Sequence, residues 1–294
     1  MVLTILVNIK IGCQLPQEIG DFEKLAEIAQ TCERLGYDSI WAYDHLSPFW
    51  TKNAHGLECW TLLAAIAQRT NRIKVGTLVT NVNLRNPALL AKMGCTLDNI
   101  SQGRLILGLG TGDRMSRDEL LSYGYEFPGL DERVGRLRET ILILKSMWTD
   151  SETSFKGKYY ALFEAANSPK PIQKPYPPIW VGGKHLKILD VVAEMADGWN
   201  YWGLERKVLA QRSEYLHAKC AQFGRPPGEI TKSWAGALRN LFQNNESRST
   251  ILEEVKEELR SQTNHGTNYF IASFGSRAEA WCYEAFVEAS KSLE

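Results

Sequence analysis

No stretch of this sequence stays apolar for the roughly 18 residues that a membrane-spanning helix needs, so neither a span nor a membrane partner is expected. Net charge is missing as well, since 34 Lys and Arg oppose 34 Asp and Glu. That balance gives no global field to recruit nucleic acid or anionic lipid, and any anion site must be local. Cysteine is sparse and scattered: Cys13, Cys32, Cys59, Cys95, Cys220 and Cys282 form no C-x-x-C pair. Such spacing argues against a disulfide framework or a zinc centre and for reduced thiols in a cytoplasmic protein. The histidines show neither H-x-H nor H-x-x-x-H spacing, so no metal site is expected. Linkers rich in Gly or Ser, low-complexity tracts and repeats are also lacking, and residues 1–294 read as one domain. The apolar opening Met1 to Ile11 is broken by Asn8 and Lys10 and lacks a small-residue cleavage site, so it reads as strand rather than signal peptide.

What is present is an alternation of strand and helix signals. Leu3 to Ile9 predicts a strand. Phe22, Leu25, Ala29, Cys32 and Leu35 then mark a helix stripe between an Asp21 cap and a Gly36 stop. Ser39 to Tyr43, Ile73 to Thr80 and Leu105 to Leu109 predict strands, with helices at 58–70 and from Pro87 between them. Residues 113–130 show little periodicity and read as a long connection, after which Val134, Leu137, Ile141, Leu144 and Trp148 restore a helix. A small hairpin turning at Gly157 and a proline-rich approach lead to a strand at Ile179. The second half predicts helices at 184–196, 205–223, 249–262 and from Arg277. Its strands fall at Gly198 to Trp202, within 230–242 and at Thr267 to Phe274. Eight strand–helix units with right-handed crossovers close into an α/β (β/α)8 TIM barrel, with insertions after strand four and before strand five.

Four strand signals end in residues able to hold a ligand: Asp44-His45, Gly76 to Asn81, Gly108 to Asp113, and Gly182-Gly183. In a barrel of this kind such endings meet on one face, where ligands bind. The Gly108 to Asp113 run is not a dinucleotide fingerprint, because Asp113 stands where G-x-G-x-x-G requires glycine. Gly182-Gly183 precedes a helix pattern, where unpaired amides favour a phosphate or carboxylate. Histidine at a strand end suits hydrogen bonding to a ligand and proton transfer near neutral pH. The same residues also fit a capping Asp44, a surface His45 and ligand-free glycine loops.

The order and spacing of several short segments carry a family resemblance. They are Gly36-Tyr37-Asp38-Ser39-Ile40-Trp41 leading into Asp44-His45, Glu58 to Ala65, Thr70-Asn71-Arg72-Ile73, Gly76 to Asn81 and Arg85-Asn86-Pro87-Ala88. Gly108 to Gly112, Trp180 to Gly183 and Ala196-Asp197-Gly198-Trp199 complete the set. In these the chain resembles the luciferase-like flavin and deazaflavin oxidoreductases, specifically their coenzyme F420-dependent branch. The resemblance implies hydride transfer between F420 and a small organic substrate. FMN is the alternative cofactor, in a monooxygenase fed by a partner reductase, and a binding protein without turnover is a third reading. It places the coenzyme ring near Asp44, the Leu78-Val79-Thr80 strand end and Thr111, and the phosphate at amides around Gly112, Gly182 and Gly183. It also implies a non-prolyl cis peptide at Leu78-Val79, His45 as the proton-handling residue, Asp113 as a second catalytic candidate, and a homodimer. Gly12-Cys13-Gln14 stands where the sugar-phosphate dehydrogenases of that branch have an acidic residue, and no basic set for a substrate phosphate can be placed. Both departures point away from a sugar phosphate. Phe49, Trp50, Trp199, Tyr201 and Trp202 are candidates for an apolar substrate wall.

Overall fold

The computed structural model describes residues 9–47, 55–203, 205–242 and 247–293. Strand and helix alternate from the start: β1 (Lys10–Gln14), α1 (Phe22–Leu35), β2 (Ser39–Ala42), α2 (Cys59–Arg69) and β3 (Lys74–Thr77). After a two-residue break the third strand resumes as β4 (Thr80–Asn81), followed by α3 (Pro87–Ile100) and β5 (Leu105–Gly110). Next come α4 (Arg114–Ser122), α5 (Leu130–Thr149) and a hairpin of β6 (Glu152–Lys156) and β7 (Ala161–Ala166). The second half holds β8 (Ile179–Gly182), α6 (Leu186–Met195), β9 (Gly198–Trp202), α7 (Arg206–Gln222) and β10 (Thr231–Ala237). It ends with α8 (Arg239–Phe242), α9 (Arg248–Thr263), β11 (Tyr269–Ser273) and α10 (Ala280–Lys291).

The main strands pair in parallel in the order β3, β2, β1, β11, β10, β9, β8, β5, and a further β3–β5 pairing closes the ring. The fold is the closed eight-stranded α/β barrel that the alternation predicts. Both insertions are present, α4 after the fourth barrel strand and the β6–β7 hairpin before the fifth. Local sequence starts and stops the helices as expected. Asp21 caps α1 through the Lys24 amide, Gly36 ends it at φ +89°, and Pro87 opens α3 behind an Asn86 cap. The hairpin turn is held by one carboxylate, Glu139 of α5, which accepts the amides of Lys158, Tyr159 and Tyr160 at 2.7, 3.0 and 2.9 Å.

Two predicted boundaries are corrected. The first barrel strand is Lys10–Gln14; of the strand predicted at Leu3 to Ile9, residues 3–8 lie outside the described residues and Ile9 precedes β1. The reason is packing: only Ile11 and Cys13 of β1 join the core under the helices, while Gly12 adjoins Trp41 inside the barrel. An apolar run is therefore the wrong signature for this strand. The connection predicted at 113–130 contains a helix, α4, closed at its start by a capping box between Asp113 and Ser116.

Two cores hold the barrel. The larger lies between strands and helices and includes Leu63, Ile66, Leu107, Leu144, Val181 and Phe270. The smaller fills the barrel itself: Trp41, Leu78, Ile106, Trp180, Ala235, Tyr269 and Ile271. Trp41 and Trp180 lie 5.1 Å apart, and Tyr269 stands edge-on to both at 6.4 and 5.0 Å. Ser39 Oγ accepts from Trp41 Nε1 at 2.6 Å and from Tyr269 Oη at 2.8 Å, so the polar tips of both rings are satisfied. The indoles fit because their neighbours have no side chain: a methyl group on Gly76 would stand 2.5 Å from the Trp41 ring. Gly76→Ala should therefore destabilise the fold by about 1–3 kcal/mol through overpacking. Denaturant unfolding of Gly76→Ala, Trp41→Leu and the double variant checks this; the double variant should lose less than the sum of the single losses, and strict additivity would refute the packing account.

Candidate active site

Ligand-type residues predicted at strand ends do meet at the C-terminal mouth of the barrel. Asp44 and His45 follow β2, Leu78 and Val79 separate β3 from β4, Thr111 and Gly112 follow β5, and Gly183 follows β8. The Leu78–Val79 peptide is cis, at the position the resemblance implied. Val79 packs against glycines of β5 and β8: a methyl group on Gly182 or Gly108 would stand 3.0 or 3.1 Å from its side chain. Thr80 is fully buried beside it, and its hydroxyl has no hydrogen-bond partner among the described residues. A buried unpaired hydroxyl costs free energy unless a partner completes its bonding.

Asp44 is buried, and both its oxygens are engaged. Arg85 grips it in bidentate fashion at 2.6 and 2.9 Å, and the Asn81 amide adds a third bond at 3.1 Å. Burial pushes the Asp44 carboxyl above its ordinary range against the pull of Arg85 and the Asn81 amide. Burial pulls Arg85 down in turn, but Asp44 and Glu58 raise it overall, and the forked contact is that of an ion pair. Asp44 thus ties the second strand end to the third.

His45 follows directly, and its Nδ1 lies 2.7 Å from Glu119 Oε2 on α4. The other Glu119 oxygen accepts the amide of Leu46, in a short contact, and that of Ser47 at 2.9 Å. Asp113 caps the same helix: its Oδ1 accepts from the Met115 and Ser116 amides and from Ser116 Oγ. Burial would raise the Asp113 carboxyl, yet the bonds from Ser116 and Met115 and the nearby His45 hold it below its ordinary range.

The fourth strand end is shaped by Arg133, a buried arginine of α5 that the motifs do not contain. It stacks 4.1 Å from the Phe127 ring and donates to the carbonyls of Thr111 at 3.1 Å, Gly112 in a short contact, and Pro128 at 3.0 Å. Asn83 Nδ2 also donates to the Thr111 carbonyl, at 2.9 Å. In a trans peptide the N–H opposes the C=O, so the Gly112 amide is turned away from Arg133. Gly112 itself sits at φ +70°, which glycine adopts without strain.

The fifth strand end differs from expectation. Gly183, at φ +138°, gives its amide to the Asn200 carbonyl at 3.0 Å, so it supplies backbone freedom where an open anion-binding amide was expected. The helix that follows begins at Leu186, with His185 as its cap through the Lys187 amide. The aromatic candidates separate as well. Trp199 and Tyr201 are buried in the core under the helices, and only Trp202 is 47% exposed at the end of β9. Phe49 and Trp50 lie outside the described residues. Among the described residues no group of three or more His, Cys, Asp or Glu could hold a metal ion, and no helix is long and apolar enough to cross a membrane.

Comparison with known proteins places this mouth in context. The chain is similar to the F420-dependent glucose-6-phosphate dehydrogenases of Amycolatopsis mediterranei (strain U-32) and Kineococcus radiotolerans (strain ATCC BAA-149 / DSM 14245 / SRS30216), with 35% and 33% identity over 192 residues. Each match covers 65% of this chain and 56% of the relative, so the chain spans about half the length of the curated relatives it matches. In structure it is similar to an F420-dependent secondary alcohol dehydrogenase in complex with an F420-acetone adduct. That likeness has TM-score 0.85 at 21% identity and covers 98% of this chain and 99% of the other. A coenzyme F420 dependent tetrahydromethanopterin reductase from Methanopyrus kandleri follows at TM-score 0.79 and 17% identity, covering 96% and 98%. At these identities the structural likeness bears on the fold alone. The model of the luciferase-like monooxygenase family matches residues 1–273, and the chain belongs to that family.

Proposed function

We propose that this protein is an F420-dependent oxidoreductase acting on a small organic substrate, with His45 as the proton-transfer residue. The observation that carries the reading is the His45–Glu119 contact at 2.7 Å beside a mouth built of glycines and one unpaired buried hydroxyl. Support comes from relatives at 35% and 33% identity that are F420-dependent dehydrogenases. When bound, the deazaflavin supplies a carbon that accepts or gives a hydride.

The residues present fit such a ring. Thr80 Oγ1 offers an unpaired donor and acceptor, and Val79 with its glycine neighbours offers a small apolar surface. The Gly112 amide, turned away from Arg133, and Gly182 are the backbone groups for the coenzyme phosphate in this reading. Asp44, through Arg85 and the Asn81 amide, would keep the third strand end in place for the ring. Hydride loss from a carbon bearing a hydroxyl requires the hydroxyl proton to leave, and His45 is the group to take it. Asp113, capping α4 and held below its ordinary range, is the weaker candidate. The relatives are named as glucose-6-phosphate dehydrogenases, and Gly12-Cys13-Gln14 lies inside β1 with Gly12 against Trp41, so it does not decide for or against a substrate phosphate and the substrate reading stops at a small organic molecule.

Fluorescence titration with F420 and with FMN tests the cofactor, and F420 should bind the more tightly; preference for FMN would overturn the assignment in favour of a flavin monooxygenase. Asp44→Asn removes the buried partner of Arg85 and leaves it paired with the more exposed Glu58, a change that should destabilise the fold. It should lower Tm and weaken F420 binding more than it slows the bound reaction; native affinity in the variant would remove Asp44 from the coenzyme site. His45→Ala should keep coenzyme affinity within a few-fold while kcat and kcat/KM fall together by about 10²–10⁴-fold. Steady-state kinetics with saturating F420 reads that loss, and an unimpaired variant would pass the proton-transfer role to Asp113.

A further inference from the structure

Glu119 belongs to none of the strand-end motifs, yet three nitrogens converge on its carboxylate. His45 Nδ1 reaches Oε2 at 2.7 Å, and the amides of Leu46 and Ser47 reach Oε1. The side chain is only 6% exposed, although it projects from a helix with exposed residues on its other faces. The Asp113–Ser116 capping box fixes where that helix begins, and so fixes the register that brings Glu119 over the second strand end. An ionised carboxylate can only accept hydrogen bonds. The imidazole nitrogen facing it must therefore carry the proton, and two amides on the other oxygen keep the carboxylate from rotating away.

We infer that Glu119 is a positioning residue for His45: it holds the proton on Nδ1 and so makes Nε2 the nitrogen that exchanges a proton with substrate. The inference rests on the assignment of His45 as the proton-transfer residue. In the oxidative direction the substrate O–H bond breaks and its proton passes to Nε2. The C–H bond breaks with its electron pair, which leaves as hydride to the coenzyme, and the oxygen and carbon become a carbonyl. His45 becomes an imidazolium, whose new charge Glu119 faces directly, and the extra proton returns to solvent.

A purely structural clamp on the turn at 45–47 would need only the two amide bonds, and Glu119→Gln separates the two roles. The carboxamide oxygen of the variant can still accept from Leu46 and Ser47. Its NH2 group, however, meets His45 Nδ1 as a donor and forces the proton onto Nε2. In hydrolase triads the corresponding carboxylate-to-amide change gives the wrong tautomer and costs about 10⁴ in rate. The experiment records ring 15N shifts of His45 by long-range 1H–15N NMR in the full chain without coenzyme, assigned with His45→Ala. It then compares steady-state kinetics with F420 for wild type and Glu119→Gln.

The neutral ring of the wild type should carry its proton on Nδ1 and that of Glu119→Gln on Nε2. kcat should fall about 10²–10⁴-fold in the variant while KM for F420 stays within twofold. An unchanged tautomer in the variant overturns the inference, as does a switched tautomer with kcat within threefold of wild type. If Glu119→Gln does not fold, the wild-type spectrum still decides, because a ring protonated on Nε2 contradicts the assignment. The ring measurement needs no coenzyme, so a wild type inert towards F420 would overturn the proposed function and leave the Glu119 result to stand or fall separately.

Discussion

The barrel depends on fitting two indole rings and a phenol into the space enclosed by eight strands. Trp41, Trp180 and Tyr269 fill that space; the single hydroxyl of Ser39 ties Trp41 to Tyr269, and Trp180 packs against both rings. Close packing allows such bulk only where the facing positions are empty, which fixes glycine at 12 and 76 beside Trp41 and at 198 beside Trp180. Large and small residues therefore share out the interior strand by strand. The strand ends above this plug inherit their positions from it, and the mouth that holds Asp44, His45, Thr80 and Gly112 rests on it.

This constraint also explains which parts of the fold are legible in sequence. Strands with continuous apolar runs, such as Leu105–Gly110 and Ile179–Gly182, stand out, as do helices with clear caps at Asp21 and Asn86. The first strand does not stand out, because Gly12 and Gln14 occupy alternate positions of only five residues. Helix α4 escapes notice for another reason: only Ser116 and Leu120 of its nine residues are buried, so it has almost no apolar stripe to read.

The site divides along the same line. Groups at strand ends, Asp44, His45 and Thr111 among them, are visible because topology alone sends them to one face. The groups that orient them are hidden, since the contacts span long separations: Arg85 to Asp44 over 41 residues, Arg133 to Thr111 over 22, Glu119 to His45 over 74. Each is an ordinary charged residue in its own helix or loop, and only the closed barrel gives it a partner. Gly183 shows the reverse error, where a local pattern promises an open amide and the neighbouring strand claims it through the Asn200 carbonyl.

Gln17, fully buried just after β1, has a carboxamide that bonds both backbone polar groups of Tyr43 and the carbonyl of Leu57. It accepts from the Tyr43 amide at 2.7 Å and donates to the Tyr43 and Leu57 carbonyls at 3.1 and 2.8 Å. One side chain thus clasps both ends of the segment that begins with Asp44 and His45. Closing a loop costs conformational entropy that grows only slowly with its length. With Tyr43 and Leu57 already held together, the chain entropy of bringing the end of β2 to the start of α2 is met by one buried side chain. The clasp therefore fixes where Asp44 and His45 leave the second strand from beneath, independently of the groups that grip their side chains from above.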